Sequence, residues 1–324
     1  MSAPAAINER IALPLLLSAC VAVAECAGRV IRDVTAGGHL YAVDKAANCE
    51  SVASGCDAAD PQTLADRRAQ LVIVHTLRRL FPGLHVVGEE GEMSLSSDPI
   101  ASDLVSDLCD SPTWRRHAAS LAFPPSIPDA PLSSTVVWVD PLDGTKEYTL
   151  GHLDSVTTLI GISVRGTPVA GIIHHPFGCN GAGRSVFGAI GAGITGLNSN
   201  RLGHVGRRYI AVSKSRLDGA TASLLSAMGA QQTLRIGGSG RKVLAVLDGE
   251  ADAYVYPGAA TSKWDICACE ALLVASGGRL TDTGGGGGTR TRRGWNLQIQ
   301  EVRRGILGHF GMIWDELGHF CALL

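Results

Sequence analysis

Thr135-Val136-Val137-Trp138-Val139-Asp140-Pro141-Leu142-Asp143-Gly144-Thr145 is the stretch that decides how this chain is read. Its first five residues are β-branched or aromatic and spell a buried strand. That strand delivers Asp140 at its C-terminal edge, and Asp143 follows three residues on, across what reads as a Pro-Leu turn. Two carboxylates this close repel each other unless a cation lies between them. Hard oxygen donors suit Mg²⁺, which binds through a few carboxylates, waters and substrate phosphate. Gly144-Thr145 then opens a helical turn, where glycine permits close approach and free amides can hold a phosphate oxygen. The Thr145 hydroxyl can orient a water. The plain alternative is an aspartate-capped turn that holds no metal.

Three other acidic sites lie at predicted element junctions. Gly88-Glu89-Glu90 closes a short strand, 84–87, so both glutamates can reach a sheet edge beside the first site. Asp66 falls in a helix that precedes that strand, with Asp60-Pro61 reading as its N-cap and first position. Trp264-Asp265 starts a helix over 264–276, whose first turn favours negative charge in any case. Each alone has an ordinary explanation as a cap, a solvated face or a dipole partner. Together they mark one acidic centre.

Working outward, apolar residues from Leu16 to Ile31 recur at helical spacing, with Pro14 near the start and Arg29, Arg32 and Asp33 on other faces. This predicts a core helix over 14–33. The run ending in Ala22-Val23-Ala24 resembles a signal-peptide core, but Glu9 and Arg10 precede it and no basic cluster does. Residues 91–134, rich in Ser, Pro and Asp, read as a surface excursion. Strands are predicted over 156–164, 169–174 and 185–190, the first two joined by a turn at Arg165-Gly166. Beyond a Gly-rich boundary at 188–206 the pattern changes to alternating units. Strands 209–213, 233–236, 252–256 and 279–282 are interleaved with helices 218–228, 240–248 and 264–276. The expected fold class is thus an α+β N-terminal part and an α/β C-terminal part. The expected domains are 1–200, carrying most of the acidic residues, and 201–324, carrying Asp265. Gly284 to Gly288 reads as a flexible loop.

The totals agree with a small anionic substrate. The chain has 324 residues, enough for a large core, and a net charge of −2 with both signs mixed along its length. No basic face or stripe is visible, which argues against nucleic acid as a partner. Nine scattered cysteines, an odd number without repeated CxxC spacing, read as mostly buried thiols in a reducing, cytoplasmic compartment.

Gly88-Glu89-Glu90, Asp140-Pro141-Leu142-Asp143-Gly144-Thr145 and Trp264-Asp265 resemble the three signatures of the Li⁺-sensitive, Mg²⁺-dependent phosphatases. That superfamily includes inositol monophosphatase and fructose-1,6-bisphosphatase. The wider run from Val137 to Tyr148, with Leu159 to Ile162, Val169 to Ile172 and Lys263 to Cys267, is similar to its 3′(2′),5′-bisphosphate nucleotidase branch. The resemblance spans about residues 15 to 283 and implies a layered α-β-α-β-α sandwich. It implies that Glu89, Asp140, the Leu142 carbonyl, Asp143 and Asp265 hold two Mg²⁺ ions. It also implies that Asp66 orients the attacking water and helps place a third ion, that Thr145 activates the nucleophile with it, and that Glu90 belongs with these catalytic groups. The amides of Gly144 and Thr145 would take the scissile phosphate. Ser213, Ser215, Arg216, Gly238, Ser239 and Lys242 match the segments that contact the nucleotide. Lys242 and Arg216 suit a second phosphate; the alternative is a helix-start turn with solvated cations.

The departures bear on substrate choice more than on metal binding. Arg216 stands where the family pattern has histidine, and Leu64 replaces a basic residue. The loops 44–59 and 191–208 are longer than the pattern, and the pentaglycine has no counterpart. Cys321-Ala322-Leu323-Leu324 matches a prenylation signal without a polybasic partner, so membrane association is expected only if Cys321 is modified; otherwise it ends an apolar C-terminal helix. The function implied is hydrolysis of 3′-phosphoadenosine 5′-phosphate to AMP and phosphate, with its 5′-phosphosulfate analogue and inositol 1,4-bisphosphate as further substrates and Li⁺ as inhibitor. The alternatives are an inositol phosphate phosphatase and a non-catalytic nucleotide- or metal-binding protein on the same fold.

Overall fold

The computed structural model describes residues 9–38, 42–44, 61–120, 129–198, 208–214, 218–256, 261–282 and 297–300. The pentaglycine, Ser215, Arg216 and Cys321 lie outside them. In chain order the first elements are β1 (Arg10–Ile11), α1 (Leu13–Ala36), β2 (Ala42–Asp44), β3 (Pro61–Thr63), α2 (Leu64–Leu80), β4 (His85–Gly88) and α3 (Pro99–Asp110). There follow β5 (Ala130–Pro131), β6 (Thr135–Asp143), α4 (Thr145–Thr149), β7 (Thr157–Val164), β8 (Thr167–His175), β9 (Arg184–Ala189) and β10 (Gly193–Thr195). The remainder is β11 (Tyr209–Ser213), α5 (Gly219–Ala227), β12 (Gln232–Ile236), α6 (Ser239–Leu247), β13 (Ala253–Tyr256), α7 (Lys263–Ala275), β14 (Arg279–Asp282) and β15 (Leu297–Gln300).

A six-stranded sheet runs β10-β9-β8-β7-β6-β4, antiparallel except for the β4–β6 pair. A five-stranded sheet runs β12-β11-β13-β15-β14, parallel across its first three strands and antiparallel across the rest. Alternation along the strands sorts side chains to two faces. On the first sheet Ile160, Ile162 and Ile172 join the core beneath α1 and α2. Leu159, Ile173 and Val186 point the other way and join α6 and α7. The far side of the second sheet packs Ile210, Val212 and Val255 against Leu224, Leu225 and Met228 of the α5 region. The layers are therefore α1/α2, sheet, α6/α7, sheet, α5.

Helix α1 is long and apolar enough to cross a membrane by length and composition, but 78% of its most apolar window is buried inside the fold. It is a core helix with proline in its first turn, as its periodicity predicts. Helix α7 lies close on β7 and β8 because two glycines make room for it. A Cβ at Gly161 would fall 2.5 Å from Cys267 Cβ, and one at Gly171 would fall 2.5 Å from the Ala268 carbonyl oxygen. Arg165 and Gly166 both take positive φ, 52° and 78°, as a two-residue hairpin turn requires.

Four expectations are corrected. Helix α2 begins at Leu64 with Thr63 as its N-cap, and Pro61 belongs to a strand paired with β2, so Asp60-Pro61 does not start it. The Thr63–Asp66 capping box is the stronger start signal and overrides the proline. Residues 91–134 are more than an excursion: α3, capped by Asp98, buries Ala101 and Val105, and Trp114 packs edge-on to Phe81. The Gly-rich stretch after 188 contributes β10, an edge strand. Finally, β6 does not stop at Val139 but continues through Asp143.

Candidate functional site

That continuation is what aligns the two aspartates. Asp140 pairs with Leu159 and Asp143 with Thr157, so three steps along β6 match two along β7. Residues three apart on a regular strand face opposite ways, and one extra residue, a bulge, restores the parity. Pro141 is tolerated there because a bulge leaves backbone unpaired. Asp140 and Asp143 consequently converge, and α7 adds Asp265 from across the sheet. One carboxylate oxygen from each of the three lies within 4.8 Å of the others. Asp140 and Asp143 are buried and Asp265 is half-buried.

Each ligand candidate is held by its own local device. Asp265 is the third residue of α7, and its Oδ2 accepts from the Ser262 amide at 2.6 Å, forming a capping box. Asp143 Oδ1 accepts from the Ser239 amide at 2.8 Å. Its Oδ2 accepts from the Gly240 amide and the Thr157 hydroxyl, both at 2.7 Å. Asp143 therefore caps α6, whose own N-cap, Gly238, has no side chain to do so. Asp140 Oδ1 accepts from the Leu142 amide at 3.1 Å. Glu89 follows the end of β4, its amide donating to the Val139 carbonyl at 3.0 Å, and its carboxyl is close enough to hydrogen-bond Asp140.

Burial and mutual repulsion raise the Asp140 carboxyl well above its ordinary range, with Glu89, Asp143 and Asp265 adding to the effect of desolvation. Asp265 is raised by burial too, against the Ser262 amide that favours its charged form. Clustered carboxylates that burial discourages from ionising are the donor set a hard divalent cation would relieve. The residues present fit Mg²⁺.

Asp66 sits on the other side of the bulged strand. Its Oδ2 accepts from the Thr63 amide at 2.7 Å and from the Thr63 hydroxyl, and its Oδ1 lies 3.1 Å from Thr145 Oγ1. Thr145 Oγ1 is also 3.0 Å from the Leu142 carbonyl, and its single proton can serve only one of the two acceptors. Burial pushes Asp66 up to about 7, opposed by the Thr63 hydroxyl and reinforced by Glu90. Such a carboxyl is poised to take a proton near neutrality. Glu90 faces Asp66, and its Oε2 accepts from Gln62 Nε2. Gly144, at φ 88°, is the left-handed N-cap of α4, which leaves the amides of Gly144 and Thr145 at the start of a single helical turn.

The expected nucleotide-contact residues are distributed differently. Ser213 ends β11, and the adjacent Lys214 Nζ lies 3.3 Å from His152 Nδ1. Gly238 is the N-cap of α6 and Ser239 its first residue, but the Ser239 and Gly240 amides are engaged by Asp143. Lys242 is buried, its Nζ 5.0 Å from the Tyr254 ring centroid, in a position that faces Asp143, Glu147 and Asp265. It is a buried counter-charge to the acidic cluster and not a solvated cation.

Two site residues belong to no motif. Thr157 holds Asp143, and Gln70 brackets the Glu89-Glu90 turn, accepting from the Glu90 amide at 2.9 Å and donating to the Gly91 carbonyl at 2.7 Å. Gln70 lies four residues after Asp66, on the same face of α2, and that spacing is its signal in the sequence.

The comparisons with known proteins point the same way. The inositol monophosphatase family model matches residues 15–309. The chain is 37% identical over 276 residues to human 3′(2′),5′-bisphosphate nucleotidase 1, covering 83% of each chain. It is 34% identical to the protein of that name from Dictyostelium discoideum, covering 83% of this chain and 85% of that one. Among solved structures, the inositol monophosphatase from Anabaena superposes with a TM-score of 0.57 at 19% identity, covering 88% of this chain and 90% of that one. This chain belongs to the inositol monophosphatase family.

Proposed function

We propose that the protein hydrolyses the 3′-phosphate of 3′-phosphoadenosine 5′-phosphate, giving AMP and inorganic phosphate, with Mg²⁺ as cofactor. The observation that carries this reading is the convergence of Asp140, Asp143 and Asp265 beside the Asp66–Thr145 pair. The substrate follows from the 37% identity to a bisphosphate nucleotidase over most of both chains.

Asp140, Asp143, Asp265, Glu89 and the Leu142 carbonyl would hold two Mg²⁺ ions, with Asp66 helping to place a third. Bound there, Mg²⁺ lowers the pKa of a water and offsets charge on the phosphate and leaving oxygen. Asp66 Oδ1 accepts a proton from Thr145 Oγ1, which in turn takes one from the attacking water. The water oxygen bonds to phosphorus as the bond to the 3′-oxygen breaks; that oxygen takes a proton from solvent water to become the AMP hydroxyl, and Asp66 returns its proton to solvent, which restores the site. The amides of Gly144 and Thr145 donate to the phosphate oxygens. Glu90, beside Asp66, keeps its carboxyl basic. By the resemblance, Ser213, Ser215, Arg216, Gly238 and Ser239 would contact the nucleotide, and Lys242 would act through Asp143.

Phosphate release measured with 3′-phosphoadenosine 5′-phosphate tests this directly. Turnover should require Mg²⁺ and be suppressed by Li⁺, and the phosphosulfate analogue and inositol 1,4-bisphosphate should also be cleaved. Cleavage of inositol monophosphates with no nucleotide turnover would assign the inositol branch. Nucleotide binding without any hydrolysis would assign a non-catalytic role.

A further inference from the structure

Gln70 is buried to 1% exposure, in a helix interior where an amide is expensive unless both its ends are satisfied. Both are. The Glu90 amide can only donate, so Oε1 must face it, and the Gly91 carbonyl can only accept, so Nε2 must face that. The orientation is therefore fixed by chemistry and has no flipped alternative. The fit is also steric. A Cβ added at Gly88 would lie 2.3 Å from Gln70 Oε1, so the strand end approaches the amide as closely as glycine allows. The segment clamped in this way, Gly88 to Gly91, carries Glu89, whose carboxyl meets Asp140.

The same helix carries Asp66 one turn earlier. Asp66 is fixed by the Thr63 cap and contacts Thr145, and Gln70 reaches the Glu89-Glu90 turn. One rigid face of α2 thereby sets the spacing between the proton acceptor and the carboxylate pair Glu89–Asp140.

We infer that Gln70 is a positioning residue whose amide holds the Glu89-Glu90 turn in the geometry needed for divalent-cation binding. The inference rests on the proposed reading of Glu89 as a metal ligand. It touches neither substrate nor metal. Residues that orient ligands from behind in this way change metal affinity about 10- to 100-fold when lost.

The test is equilibrium Mn²⁺ binding, followed by electron paramagnetic resonance of free Mn²⁺, on the full chain without substrate. Mn²⁺ suits the same oxygen donors as Mg²⁺. Gln70→Leu and Gln70→Met remove the amide and keep much of its volume. Both should raise the Mn²⁺ dissociation constant about 10- to 100-fold, and the Mg²⁺ concentration for half-maximal activity should rise in parallel. Leu77→Ala, a truncation of a fully buried core residue on α2, is the structural control. It should lower the melting temperature in EDTA while leaving Mn²⁺ affinity within about twofold. Should neither Gln70 variant fold, Gln70→Glu keeps the acceptor that faces the Glu90 amide and should shift Mn²⁺ affinity in the same direction. Unchanged Mn²⁺ affinity in the folded Gln70 variants, with normal binding by the parent, overturns the clamp alone. Equal weakening by Leu77→Ala reduces Gln70 to a packing role and overturns it too. A parent chain that binds no Mn²⁺ overturns both the clamp and the metal reading.

Discussion

Helices α2 and α6 both start at the acidic centre, and they start in opposite ways. Helix α2 supplies its own cap: Thr63 and Asp66 satisfy each other's amides within one turn of chain. Helix α6 has a glycine at the cap position and borrows Asp143, about 97 residues away in sequence, to satisfy the Ser239 and Gly240 amides. Helix α7 resembles α2, with Ser262 and Asp265 forming its box. In α2 one carboxylate oxygen of Asp66 fixes the side chain and the other meets Thr145. In the borrowed case a single carboxylate joins the bulged strand to the first residues of α6. The difference teaches that a pinned carboxylate can be either a local device or a long-range joint, and only the second ties the metal cluster to a helix distant in sequence.

The largest expected effect comes from breaking chemistry while sparing the cap. Asp66→Asn retains an oxygen for the Thr63 amide but cannot accept the proton, so kcat should fall about 10²- to 10⁴-fold with little loss of folding stability. The acid limb of kcat/KM in the parent should lie at or below about 7, because burial raises Asp66 and bound cations favour its ionised form. Its disappearance in Asp66→Asn is the check. The borrowed cap is broken at Gly240, where an added Cβ would lie 2.4 Å from Thr157 Oγ1. Gly240→Ala should cost about 1–3 kcal/mol in chemical denaturation and weaken Mn²⁺ binding at the Asp143 site.

A background titration away from both helices is predicted as well. His174 is buried against Gly28, and burial, with Arg32 nearby, lowers it to about 3. Between its unfolded value near 6.5 and about 3, the unfolded chain binds a proton that the folded one does not. His174 should therefore contribute a loss of up to about 2 kcal/mol on going from about pH 6.5 to pH 5, opposite in sign to the contribution of the raised Asp66 and Asp265 carboxyls, and the difference between the parent and His174→Gln stability profiles isolates it. The smallest effect is Thr63→Ala, which removes one side-chain cap and should cost about 1 kcal/mol with Mn²⁺ affinity retained.

How much of this was legible in the sequence follows the same division. Asp66, Asp140, Asp143 and Asp265 stand out because each lies within a short run of residues whose local pattern places it. Strand β11 keeps its predicted bounds because its apolar run is interrupted on both sides, and β14 keeps its own because Gly277-Gly278 mark its start. The bulge at Pro141-Leu142 is not legible as such: Asp-Pro-Leu-Asp reads as a turn until β7 supplies the register that makes it a strand with one extra residue. Gln70 and Thr157 are ordinary residues on a helix and a strand, and their role exists only through partners 20 and 14 residues distant. Lys242 is the instructive case. Its place after a glycine turn suggests either a phosphate partner or a solvated cation, and its burial beside Tyr254 depends on a layer of α7 and β13 that no local pattern contains. The start of α2 misled in the other direction, because Asp60-Pro61 and Thr63-Asp66 both look like helix openings and only the second satisfies two amides.

The central claim is that the carboxylates converging on the β6 bulge form a divalent-cation centre. Anomalous diffraction from crystals of the protein soaked in Mn²⁺ tests it most directly. The account predicts an anomalous peak enclosed by the carboxylates of Asp140, Asp143 and Asp265, lost when Asp140 is changed to Asn. Mn²⁺ peaks confined to other carboxylates, or none at this cluster in a protein that hydrolyses phosphate esters, would contradict it.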